Sequence, residues 1–155
     1  MKKTVKTSEI LAVYNIISSA KYGKLSDEDK VKVWKITRKL KPIATKFDDD
    51  SKDAAEKMKP TEDFSERLEK AQEYERLRSE KQPTIDIMTT ADYKKFVEEL
   101  KKYNKLVGDA VKEFADKEVE LEFCAINEEA FGKLMASNEW TMGQVSVLGD
   151  FICEE

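Results

Sequence analysis

Apolar side chains recur at alternating steps of three and four along two stretches of the chain, and this spacing limits the fold more than any other feature. Tyr93, Phe96, Leu100, Tyr103, Val107, Ala110 and Phe114 hold the rhythm for three heptads, widened by Val97, Leu106 and Val111. Such a row forms a stripe along one side of a helix, and that stripe needs a cover. Val33, Ile36, Leu40, Ile43, Phe47 and, after polar Asp50, Ala54 repeat the pattern. As a helix, 33–54 would extend about 32 Å at 1.5 Å per residue. Two rows of equal length predict two long helices packed antiparallel on each other, with an earlier helix filling the side. Pro42 lies inside the first row and predicts a kink or a local interruption.

Helix boundary signals place the remaining elements. Thr7 or Ser8 opens a short helix with Ile10, Val13, Tyr14 and Ile17 on one face, expected to stop near Gly23. Ser26, three residues before Asp29, caps the long helix, and three acids stand at the positive end of its dipole. Pro60-Thr61 marks a break before Phe64, Leu68, Ala71 and Tyr74, a narrow helical stripe ending at Pro83. Residues 84–88 alternate weakly and read as a short strand. Thr89 or Thr90 then caps the second long helix, in which Gly108 would permit close backbone approach.

Glu118 to Ile126 begins as an alternation with Glu out and Val119, Leu121 and Phe123 in, the period of a half-buried strand. A lone strand leaves its backbone unpaired, so it requires either residues 84–88 or an edge from another copy. Val119, Leu121 and Phe123 are therefore candidates for a self-association strand. Asn127 caps a helix holding Phe131, Leu134 and Met135, and Thr141 with Gln144 forms a capping box for the last one. The expected fold is mostly α: a long antiparallel helical hairpin or bundle with a small C-terminal subdomain of one or two short strands and two short helices. At 155 residues the chain can fill one core, so 1–155 reads as a single domain. Within it lie a basic helical part (1–46), a highly charged helical arm (47–82), a long core helix (83–115) and an acidic strand–helix–helix subdomain (116–155).

Charge is unevenly distributed. Residues 1–46 carry 12 basic and 4 acidic side chains, whereas 116–155 hold 10 carboxylates against Lys117 and Lys133. Opposite charge in two parts of one small protein favours contact with copies of itself or with partners of either sign. Met1-Lys2-Lys3 before the apolar stretch 10–20 has the outline of a secretory signal, but Glu9 and Asn15 interrupt it. No stretch approaches the roughly 20 apolar residues of a membrane span. A cytoplasmic protein without membrane contact is the expectation.

The chain has no His, which removes the commonest general base and the commonest zinc ligand. Asp48, Asp49, Asp50 and Asp53 cluster oxygens but lack the glycine and the spacing of a calcium loop. Glu118, Glu120 and Glu122 share a strand face without an opposed catalytic group, which favours simple exposure. Cys124 has no His partner and reads as a buried packing thiol, and its distance in sequence from Cys153 suggests no disulfide framework. Gly-rich phosphate loops and nucleophile elbows are absent. The sequence therefore points away from an enzyme, and no metal or cofactor is expected.

Binding is the remaining class. Lys32, Lys35, Lys39 and Lys46 form a stripe beside the apolar row, while Trp34 points elsewhere, flanked at helical spacing by Lys30, Arg38 and Lys41. Lys32, Trp34, Lys35, Arg38 and Lys39 are thus candidate contacts for nucleic acid, cations on phosphates and indole on a base. The favoured alternative packs Trp34 with Val31 against the first helix and leaves the lysines solvated, because an acidic chain repels a polyanion.

Glu9-Ile10-Leu11 with Tyr14-Asn15, Lys24-Leu25-Ser26 leading into Val33, Ile36 and Leu40, Phe114 through Glu118-Val119-Glu120-Leu121-Glu122, Ile126, and the closing Thr141, Leu148 and Phe151-Ile152 occur in a familiar order. The chain resembles a family of small structural or assembly proteins of tailed phages and prophages, except that its charged 48–82 insert is longer. The resemblance implies a non-enzymatic part in a virion or its assembly, and a virion location if the chain is phage-encoded; the charge asymmetry and the unpaired strand make protein partners the expectation, with further copies of the chain one candidate. The resemblance brings no functional residues.

Overall fold

Local capping decides where most helices begin in the computed structural model, which describes residues 1–154. Among these residues run β1 (Lys2–Lys6), α1 (Thr7–Ile17), α2 (Asp27–Lys57), α3 (Phe64–Ser79), α4 (Thr90–Asp116), β2 (Glu118–Glu122), α5 (Glu128–Ala136) and α6 (Met142–Ile152). The Asp29 amide donates to Ser26 Oγ (3.1 Å), the Asp92 amide to Thr89 Oγ1 (3.1 Å), and the Ala130 amide to Asn127 Oδ1 (2.8 Å). Thr141 and Gln144 form a capping box, each side chain accepting from the other's backbone amide. These bonds satisfy amides that the first helical turn cannot. The fold is mostly α, with a two-stranded antiparallel sheet and two short C-terminal helices.

The chain divides into two compact units. One comprises residues 1–50 and the chain from Glu113 onward; the other spans 51–112. In the first, Val33, Ile36 and Leu40 of α2 pack with Ile10, Val13 and Ile17 of α1, and with Leu134, Leu148 and Ile152 of α5 and α6. In the second, Phe96 of α4 packs with Phe64 and Ala71 of α3, and Tyr93, Leu100 and Tyr103 lie at the margin. The start of the first row, Val33 to Leu40, is thus taken up by α1, α5 and α6, whereas Ile43 and Phe47 further along border the same recess as Phe114, the last residue of the second row. Beyond Phe47 the first row thins to Ala54, which offers little area to an aromatic row, whereas Phe64 meets Phe96 and Tyr103 at centroid distances of 5.4 and 4.7 Å. The end of α2 still touches α4, where the Tyr103 hydroxyl donates to the Ala55 carbonyl (2.7 Å).

Several expectations are corrected. Residues 84–88 form a turn rather than a strand, and Thr84 O accepts from the amides of Ile87 and Met88. The partner of β2 is β1, with Lys2 opposite Glu122, Thr4 opposite Glu120 and Lys6 opposite Glu118. The basic start and the acidic strand thus lie side by side, which locally offsets the charge asymmetry. α1 ends at Ile17, well before Gly23, and α2 runs unbroken through Pro42. Pro42 is exposed, so water can serve the carbonyl that loses its amide donor. A Cβ on Gly108 would meet nothing within 4 Å, so no backbone approaches there. α3 closes with Lys81 in the left-handed region (φ 56°), where the amides of Lys81 and Gln82 return to the carbonyls of Arg78 and Leu77.

Candidate functional site

The inner face of α2 is committed to the core, and that commitment fixes what its other sides present. Val31 and Trp34 face solvent, 47% and 52% exposed, and do not pack on α1. The expectation that they form a second packing face is corrected: α1 covers the Val33–Leu40 side, and one helix cannot cover both. The Arg38 guanidinium lies 5.2 Å from the Trp34 ring centroid, one helical turn on. Lys30 and Lys41 continue this side at helical spacing, Lys30 paired with Asp27 (3.2 Å).

Lys32 and Lys39 are turned away from Trp34, toward β2. Lys32 pairs with Glu28 (3.1 Å) and Asp29 (3.6 Å), and the bond to Glu28 holds its ammonium above the ordinary lysine range. Lys39 Nζ donates to the Glu122 carbonyl. Lys35 lies between the two sides and, with both lysines, borders a recess reached by Met1 and Cys124. Of the five sequence candidates, the structure therefore brings Trp34 and Arg38 together at the open surface and engages Lys32 and Lys39 within the chain.

Val119, Leu121 and Phe123 point inward, Leu121 and Phe123 into the core, where the Phe123 ring stacks parallel to Phe151 at 5.6 Å. Leu121 and Phe123 are occupied within the molecule, whereas Val119 stays half-buried. The open part of β2 is its outer edge, which sequence reasoning did not single out. Amide–carbonyl bonds link Met1 to Phe123 and Thr7 to Lys117 across the ladder. By the two-residue alternation of antiparallel pairing, the backbone groups of Glu118, Glu120 and Glu122 point outward. Alongside runs a groove of about 370 Å³, lined by Ile43 and Phe47 of α2, Phe114 at the end of α4, Thr7, Lys117 and Val119.

Cys124 is exposed, contrary to its expected burial, because the alternation that buries Phe123 turns the next residue outward. Cys153 is half-buried, and burial followed by the nearby Glu128 pushes its thiol up, with Lys3 opposing. Among the described residues, no three acidic or cysteine side chains gather closely enough to share a metal ion, and no helix is long and apolar enough to cross a membrane. Comparison with protein-family models, curated proteins and solved structures gave no match.

Proposed function

We propose that the protein is a non-catalytic interaction or assembly factor that recognises another protein through the outer face of α2. The carrying observation is Trp34, exposed and stacked by Arg38, on a helix whose opposite face is anchored by nearly inaccessible Val33, Ile36 and Leu40. Tryptophan and arginine are enriched where few residues supply most of the binding energy, and a rigid support lowers the ordering cost. The fitting partner presents an apolar pocket for the indole, ringed by carboxylates for Arg38, Lys35 and Lys41. The resemblance to small tailed-phage proteins extends this reading to a component of a virion or of its assembly, located in the cytoplasm or the particle.

The same indole and guanidinium favour a second reading, nucleic-acid binding. It is weaker, since Lys32 and Lys39 are engaged within the chain and the unit bearing α2 carries 14 basic against 18 acidic side chains. Photocrosslinking from position 34 in the native host, combined with a DNA shift assay at two salt concentrations, tests both. A discrete protein adduct lost in Arg38→Glu, without salt-steep DNA binding, is the expected result. DNA binding that falls by orders of magnitude between 50 and 200 mM salt would overturn it.

A further inference from the structure

We infer that the outer edge of β2 and the groove beside it form a docking site for an extended peptide with basic and apolar side chains in alternation. Three observations converge on this edge. Among the described residues, no hydrogen bond within the chain takes the outward amides and carbonyls of Glu118 and Glu120, whereas Lys39 closes the far end at the Glu122 carbonyl. The exposed side chains of Glu118, Glu120 and Glu122 carry one sign of charge. The groove on the inward side of the same edge offers the half-buried apolar side chains of Ile43, Phe47, Phe114 and Val119, flanked by the Lys46–Asp50 ion pair (2.7 Å) and Lys117.

An incoming strand must alternate as β2 does. Residues on its outer face would meet the glutamates, which selects Lys or Arg. Residues on its inner face would drop toward Ile43 and Phe47, which selects Val, Leu or Phe. β1 shows that β2 accepts this chemistry on its other edge, since Lys2 and Lys6 lie opposite Glu122 and Glu118, and Val5 lies opposite Val119. The occupant is a peptide segment and not a whole second copy of this fold. Adjacent strands are only about 4.8 Å apart, and the helices beneath an added copy would meet α2, which flanks the edge.

This inference shares with the proposed function the premise that the chain works through protein surfaces, but it uses a different surface, so the two fail separately. The probe is a synthetic Lys-Phe-Lys-Val-Lys peptide titrated into the ¹⁵N-labelled full chain. The expected result is saturable shifts of the Glu118 and Glu120 amides and of Ile43 and Phe47, unchanged by Trp34→Ala. Glu120→Lys should weaken binding about fivefold, and alternate N-methylation of the peptide should abolish it. The N-methyl peptide tests the edge without altering the protein's fold. Absence of shifts at millimolar peptide, equal binding of Glu-Phe-Glu-Val-Glu, shifts centred on Trp34, or concentration-dependent shifts of these amides without peptide, indicating a second copy, would each overturn the inference.

Discussion

Three leucines that the apolar spacing treats as near equivalents separate sharply in the fold, which allows a graded test of the packing. Leu40 is 1% exposed in the core of the first unit, Leu100 is half-buried at the margin of the second cluster, and Leu106 is 56% exposed. Leu40→Ala removes three buried carbons and leaves a void among Ile10, Val33 and Ile36, a class of change that costs about 3–4 kcal/mol. For a chain of this length that corresponds to a fall in melting temperature of roughly 6–16 °C. Leu100→Ala loses only part of its transfer term, about 1–2 kcal/mol. Leu106→Ala removes surface already in water and exchanges one good helix former for another, so its effect stays within about 0.5 kcal/mol. Thermal melts followed by circular dichroism at 222 nm read all three. If Leu106→Ala melts as early as Leu40→Ala, the assignment of the α2 and α4 rows to these environments is refuted.

Gly108→Ala should raise stability by up to about 1 kcal/mol, because nothing opposes a Cβ there and alanine favours the helix; chemical denaturation reads this directly. Gly149→Ala should lose that gain or reverse it, since its Cβ would lie 3.2 Å from the buried Phe131 ring, and the same denaturation series provides the comparison. Lys81→Gly should stabilise α3 by about 1 kcal/mol by relieving a left-handed non-glycine residue, detectable as a higher melting temperature. The Tyr93 hydroxyl donates to Glu75 (2.7 Å), and this bond, followed by burial, holds its pKa above the ordinary tyrosine value. Its contribution is therefore fully present below that value and is lost as pH rises through the folded-state pKa. Absorbance at 295 nm should show a late-ionising component from Tyr93, which should vanish in Tyr93→Phe.

Four helix starts were legible because capping is local: Ser26, Thr89, Asn127 and Thr141 each bond to amides within three residues, whereas α1 starts after Lys6 and α3 after Asp63, neither of which caps with its side chain. The alternation of β2 was legible for the same reason. Its partner was not, because Lys2–Lys6 carries three lysines and too short an alternation to stand out, and only pairing with a distant segment makes it a strand. The spacing of α2 and α4 identified their buried faces but not what covers them, since periodicity carries no information about partners. At the candidate site, helical spacing separated Trp34 from the core row, but the acidic balance of the chain favoured packing on α1, which α1 cannot provide because it covers the Val33–Leu40 side. The open edge of β2 became visible only once the ladder showed which backbone groups face outward.

Quenching of Trp34 fluorescence in a Trp140→Phe variant tests most directly whether the outer face of α2 is free to bind. The account predicts a red-shifted emission that iodide quenches more efficiently than caesium, since the indole lies in water beside Arg38 and close to further lysines. A blue-shifted emission insensitive to both ions would contradict it, because Trp34 would then be buried within the protein.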